Sequence, residues 1–268
     1  MSDPYSNLAA QETSIQERIA DAMEARCLEP AQVAIRKSYL SDLALPAGAL
    51  AVELGSGTGH VTRDLIDVAG AERAIGLEPS PVMVERARRT FADETRLRFD
   101  TGDATQTGLD YKSVDLVLMH TLLCHVPGPK DVMVEAFRIL KPGGIVAIFD
   151  GDYDTTTVAT GYFDPLEPVV KYMIDANVHN LWVTRQLVPL AAEAGFAPGP
   201  VTPHGYLASG DATYFMTVID PGLVKMQAEG LMTADGAAGL AAEARTRVVE
   251  NRFFGFMSYL SMIATKPG

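Results

Sequence analysis

The stretch Ala51-Val-Glu-Leu-Gly-Ser-Gly-Thr-Gly-His60, followed by Gly76-Leu-Glu-Pro-Ser80, decides how this chain folds. It reads as an apolar strand ending in a carboxylate, a three-glycine turn and a helix, then a second strand that also ends in a carboxylate. Glycine has no Cβ, so three in one turn let the main chain approach a ligand where any other residue would collide. Their spacing selects the ligand. A dinucleotide-binding turn reads G-x-G-x-x-G, whereas Gly55, Gly57 and Gly59 alternate and His60 stands where the third dinucleotide glycine belongs. A phosphate loop of the form G-x-x-x-x-G-K-[ST] does not occur.

Outward from this turn the pattern alternates. Strands are predicted at Leu50–Leu54, Ala74–Glu78, Leu97–Phe99, Val114–Met119 and Ile145–Phe149. Between them lie helices from Gly59 to Ala69, from Pro81 to about Phe91 with Ser80 as its cap, and over Lys130–Leu140. Such alternation implies right-handed crossovers and an α/β fold with a doubly wound, mostly parallel sheet. Val201–Ala208 and Phe253–Ala264, the latter antiparallel, bring the sheet to seven strands. Ligands bind beyond the carboxyl ends of such strands, where strand order reverses, so the first strand is the natural place for a site. The first 45 residues read as two helices broken at Glu29-Pro30, with Ile15, Ile19 and Met23 on one stripe. They form an N-terminal helical lid (1–45) on a domain spanning 46–268. Within that domain residues 151–183 read as irregular and 211–250 as helical, both as insertions covering the site. A helix over Thr184–Ala194 stops at Gly195.

The chain has 268 residues, with 22 basic and 34 acidic side chains, a net charge of −12 and a sequence pI near 4.8. A field of that sign repels phosphate backbones, so no nucleic-acid partner is expected. No apolar run approaches the roughly 20 residues a membrane span needs, and Met1–Asn7 carries no signal-peptide pattern. Cys27 and Cys124 are isolated thiols without metal-ligand spacing, which fits a reducing, cytoplasmic setting and no metal.

Taken with Gly102-Asp-Ala104 after the third strand and Lys141-Pro-Gly-Gly144 before the fifth, the glycine turn resembles that of the class I S-adenosylmethionine-dependent methyltransferases. The resemblance covers residues 47–150 and is strongest to their ubiquinone/menaquinone-methyltransferase-like (methyltransferase type 11) small-molecule branch, which has a Rossmann-like fold. It implies S-adenosyl-L-methionine as cofactor and S-adenosyl-L-homocysteine as product. Gly55, Ser56, Gly57 and Gly59 would give the close backbone approach, and Glu78 would accept both ribose hydroxyls. The family pattern gives Asp103 the adenine amino group and Ala104 a backbone contact to a ring nitrogen. It sets Pro79, Ser80 and Met83 against adenine or ribose, Glu53 near the amino group of the methionyl end, and the backbone of His120 on that amine.

Methyl transfer from a sulfonium is an in-line displacement with a good leaving group, so positioning and desolvation can supply much of the rate. A base matters only when the nucleophile arrives protonated. His125 is the candidate base or orienting group, with Asp152 or Asp154 as its partner, and Arg36 is a candidate for the methionyl carboxylate. Cys124 reads as a buried thiol. The fourth strand runs into His120-Thr-Leu-Leu123, without the Asp/Asn-Pro-Pro-aromatic run of nucleic-acid amino-methyltransferases. The acceptor is therefore expected to be a small molecule, taken at an O, N or C nucleophile, with the aromatic residues and methionines of 162–182 and 253–257 around it. Rival readings are a pericyclase or carboxymethyl-transfer enzyme on the same cofactor, a non-catalytic binding protein, and an NAD(P)-dependent oxidoreductase. The oligomeric state is open, with a homodimer as one candidate.

Overall fold

The apolar segments of the alternating region are buried on both faces, as strands of a helix-covered parallel sheet must be. A computed structural model describes residues 8–268. In it β1 (Leu50–Leu54), β2 (Arg73–Glu78), β3 (Leu97–Thr101), β4 (Val114–His120) and β5 (Leu140–Thr157) pair in parallel. β6 (Ala197–Ala208) and β7 (Gly255–Thr265) complete one seven-stranded sheet of order β3-β2-β1-β4-β5-β7-β6, with β7 antiparallel to both neighbours. Strand order reverses at β1, between β2 and β4, so the glycine turn sits at the switch point.

Local chemistry sets the helices. α1 (Thr13–Leu28) ends before Pro30, which occupies the first position of α2 (Pro30–Leu40), and the Glu29 side chain caps α2 by accepting from Gln32 N at 2.8 Å. α3 (His60–Asp67) follows the glycine turn. α4 (Pro81–Thr90) is capped by Ser80 Oγ, which accepts from Met83 N at 3.2 Å, and α5 (Pro129–Ile139) again starts on proline. α6 (Glu167–Asn177), α7 (Leu187–Glu193), α8 (Thr213–Ala228) and α9 (Ala234–Val249) complete the described helices. One apolar core runs through the sheet from Leu40 and Leu54 to Phe215 and Tyr259. The lid expectation covers residues 1–7, which lie outside the described residues.

Two expectations need correction. Residues 151–183 are irregular only in part: β5 continues to Thr157 and α6 occupies 167–177, leaving 158–166 and 178–182 without regular structure. Pro168 does not break α6, because it falls in the first turn, where its missing N–H leaves no bond unmade. The acids of 150–154 obscure the strand because their partners are remote in sequence: Arg185 engages Asp152 and Asp154. The helix predicted over 184–194 opens as a 3-10 turn, Val183–Gln186, before α7.

Candidate active site

The glycine turn requires glycine on both conformational and spatial grounds. Gly55, Gly57 and Gly59 hold φ of 73°, 51° and 87°, in the left-handed region that L side chains avoid. A Cβ on Gly57 would stand 2.6 Å from Met23 Cε, and one on Gly59 2.7 Å from the Phe99 ring. Gly55 N and Ser56 N donate to Leu77 O at 2.8 and 3.0 Å, which fastens the turn to β2. Glu78 fastens it again, accepting from Gly57 N at Oε2 and from Ser80 N at Oε1, each at 3.0 Å. Burial pushes the Glu78 carboxyl above its usual range, and these two backbone donors pull against that shift.

Beyond the strand ends lies a cavity of about 390 Å³, whose wall includes Gly55, Glu78, Pro79, Met83, Asp103 and Ala104. The Asp103 carboxyl is held in place by Thr105, whose N and Oγ1 both donate to Oδ1 at 2.7 Å. Ser80 is fully buried behind this wall, because its hydroxyl caps α4 and donates to Gln16 Oε1 at 2.6 Å. Gly57 and Gly59 likewise shape the turn without lining the cavity.

A recess of about 40 Å³ opens from the same turn and is bounded by Glu53, Ser56, Arg36 and His120. Gly55, Thr121 and Met23 border both spaces. Ser56 Oγ is buried there with no hydrogen-bond partner among the described residues. Glu53 is buried and accepts from Thr62 Oγ1 at 2.5 Å; desolvation pushes its carboxyl up to about 8, so the free protein holds it largely protonated at neutral pH. Arg36 is buried rather than exposed, with Nε 2.6 Å from Asp64 Oδ2 and Nη1 donating to Cys27 O at 2.9 Å. The His120 ring joins an aromatic stack, its centroid 4.7 Å from that of Phe149, with Nδ1 2.7 Å from Tyr39 Oη. Burial, aided by Arg36 and Arg26, drives its pKa well down, so the ring is neutral.

Sequence reasoning missed Thr121, Arg26 and Met23. Thr121 follows β4 with φ of 52°, a strained value for a β-branched residue of the kind that gathers at working sites. Its N donates to Phe149 O at 2.7 Å, and its Oγ1 accepts from Arg26 Nη2 at 3.1 Å. Met23 and Arg26 are three residues apart on α1 and so share one helix face. That spacing was the available signal.

A third cavity, about 90 Å³, lies under α1 against β5, α6 and α8, and Met23 and His125 line both it and the large cavity. Asp152 is committed to Arg185. Arg185 grips it through Nε and Nη2 at 2.8 and 2.9 Å and holds Asp154 at 3.0 Å. His125 interacts electrostatically with Asp150, which is fully buried and fixed by Cys124 N at 3.1 Å and Gly151 N at 2.8 Å. Of the aromatic and methionine side chains expected from 162–182, Tyr162 and Phe163 are fully exposed and Trp182 half exposed, while Met173 lines the third cavity. Met257 and Phe253 belong to the core.

Residues 52–148 match the family model described as a methyltransferase domain. An uncharacterized 37.1 kDa protein in transposon TN4556 of Streptomyces fradiae is 32% identical over 157 residues, covering 58% of this chain and 46% of that protein. Demethylmenaquinone methyltransferase of Lactobacillus johnsonii is 29% identical over 153 residues, 54% of this chain and 62% of that protein. The chain thus spans about half the length of these two relatives. Among solved structures, phosphoethanolamine N-methyltransferase 2 of Haemonchus contortus, in complex with S-adenosyl-L-methionine, has the same fold. Its TM-score is 0.58 at 16% identity, over 96% of this chain and 58% of that one.

Proposed function

From the methyltransferase domain that this chain carries over residues 52–148, we infer that it binds S-adenosylmethionine across the large cavity and its recess and methylates a small molecule. One observation carries the reading: the glycine turn, Glu78 and Asp103 lie at the ends of three different strands, yet Gly55, Glu78 and Asp103 border one cavity. When bound, the cofactor supplies an electrophilic methyl on a sulfonium that departs as the neutral thioether.

The chain's own residues bind and orient. Each Glu78 oxygen accepts one backbone N–H and keeps a lone pair for a ribose hydroxyl. Asp103 and the Ala104 N–H suit the edge of a purine, with Pro79 and Met83 against its face. In the recess, Ser56 Oγ and Glu53 suit the amino-acid end. Glu53 would ionise opposite an incoming ammonium, because a nearby opposite charge favours the carboxylate. His125, which borders both the large cavity and the third and interacts electrostatically with Asp150, is assigned the role of base or acceptor-orienting group. The nicotinamide reading loses ground because His60, at the third dinucleotide-glycine position, opens α3 with its ring against Phe91 at 5.3 Å.

Titration calorimetry with S-adenosylmethionine and S-adenosylhomocysteine tests the cofactor assignment: saturable binding of both supports it, and binding of neither ends it. For His125 the measure is turnover of the His125→Ala variant once an acceptor is found, and an unchanged kcat/KM removes this residue from catalysis.

A further inference from the structure

The cavity beneath α1 has its own chemistry. Its wall includes Tyr153 from β5, Met173 and Asn177 from α6, Tyr214 from α8 and Arg26 from α1. Tyr153 is 3% exposed, and its Oη has no hydrogen-bond partner among the described residues. A buried hydroxyl left unpaired loses on the order of 1–3 kcal/mol, so it points to a ligand atom that completes it. Burial raises the Tyr153 pKa well above the ordinary phenol value, which keeps the hydroxyl a donor. The other polar groups at the wall, the Arg26 guanidinium, the Asn177 amide, the His125 ring and the Tyr214 and Thr217 hydroxyls, each carry a donor.

The carboxylates tell the same story by their positions. Among the described residues none lines this cavity, in a chain of net charge −12. Asp152 and Asp154, which sequence alone could have offered to an amine, are held by Arg185. Asp150 is fully buried and turned to the backbone of Cys124 and Gly151. An ammonium entering here would meet a guanidinium and, among the described residues, no lining carboxylate. An acidic oxygen would meet donors.

Position ties the cavity to the transfer site, since Met23 and His125 border both it and the large cavity, and the His125 and Tyr153 ring centroids are 6.4 Å apart. We propose that this cavity is the acceptor site, that Tyr153 is its positioning residue, and that it takes a compact apolar molecule presenting an acidic oxygen (a phenol, enol or carboxylic acid) rather than an amine. The inference rests on the methyltransferase reading for its purpose, but the selectivity of the cavity is a separate property. At about 90 Å³ it is smaller than the 150 Å³ apolar cavity that admits benzene. A ring therefore enters only when Met23, an unbranched and adaptable side chain, swings aside.

The test uses four probes of similar size, phenol, benzoate, toluene and benzylamine, with the full chain, by ligand-observed NMR and calorimetry, with and without S-adenosylhomocysteine. Phenol or benzoate should bind at least fivefold tighter than toluene and benzylamine. Tyr153→Phe, which removes one oxygen, should reduce that preference to within twofold while S-adenosylhomocysteine affinity and the melting temperature hold. Equal binding of all four, preference for benzylamine, or a preference that survives in Tyr153→Phe overturns the proposal. Absence of S-adenosylhomocysteine binding to the wild type sinks the cofactor reading instead, and the probe ranking without it still decides the acceptor site.

Discussion

The three glycines of the turn share a backbone conformation but not a neighbourhood, and that difference predicts how each tolerates a side chain. Left-handed φ alone costs an L residue about 1–2 kcal/mol. At Gly57 the added Cβ meets only the tip of Met23, which can rotate away, whereas at Gly59 it meets the Phe99 ring and Ala87 Cβ, 3.0 Å away. Gly59→Ala should therefore destabilise by a further ~1–3 kcal/mol of overpacking and lower the urea midpoint well below that of Gly57→Ala. Equal midpoints would show that the Phe99 contact yields freely. Glu53 makes a second residue-scale prediction. With its carboxyl at about 8, binding a cationic amine opposite it should release close to one proton at pH 7, so the binding heat should vary with the ionisation enthalpy of the buffer. Glu53→Gln should abolish that variation. The sign for stability follows from the same shift. A carboxyl raised above its ordinary 4.5 favours the folded state least when ionised, so the free protein should lose stability between pH 4.5 and 8 relative to Glu53→Gln.

Among the elements, the sequence was most legible where period and punctuation agreed. β1 falls on Leu50–Leu54 as expected, and α4 opens on Ser80-Pro81 because capping is a local property readable from neighbours. It was least legible where long-range partners override local signals, as in the length of β5, whose Asp152 and Asp154 are neutralised by Arg185 from thirty residues on. The loop before α6 is held in the same way. Arg247 of α9 pairs with Asp164 at 2.7 Å, both side chains almost fully buried, while Asp164 also accepts from Thr160 N and Leu166 N. Breaking such a pair leaves a charge stranded, so Arg247→Met should lower stability by about 3–5 kcal/mol at pH 7. Adding Asp164→Asn should restore part of it. Arg247 and three further donors hold the Asp164 acid down to about 2, so the contribution is present above the ordinary carboxyl range and fades as pH falls towards 2. Denaturant melts at pH 7 and pH 3 should show the gap between wild type and Arg247→Met narrowing in acid, and a constant gap would refute the pairing argument.

At the scale of the whole molecule, cohesion is uneven, and the unevenness coincides with the candidate site. The sheet and helices such as α5 belong to one continuous core, with Val132, Met133, Ala136 and Ile139 of α5 fully enclosed. α1 differs: only Gln16 and Ala20 of its sixteen residues are buried. It is held by a small apolar cluster, Ala20, Ile19 and Met23 against Leu8 and Met83, and by polar ties, Arg26 to Thr121, Gln16 to Ser80, and Arg86 to Asp21, the last exposed and therefore weak. Yet α1 carries Met23, which borders all three cavities. The sequence showed the stripe of Ile15, Ile19 and Met23 but not what it would rest on, since no periodicity in one helix reports the hollow beneath it. A segment with little apolar burial opens at a smaller free energy than the core it covers, and a ligand that contacts it only when closed raises that energy by mass action. Hydrogen exchange should therefore find α1 among the least protected helices in the free protein. Saturating S-adenosylhomocysteine should slow exchange in α1 and around Gly55–Thr58 far more than in α5. Uniform slowing across all helices would mean that the ligand acts on global stability alone, and an already protected α1 would mean that access to the cavities comes from elsewhere.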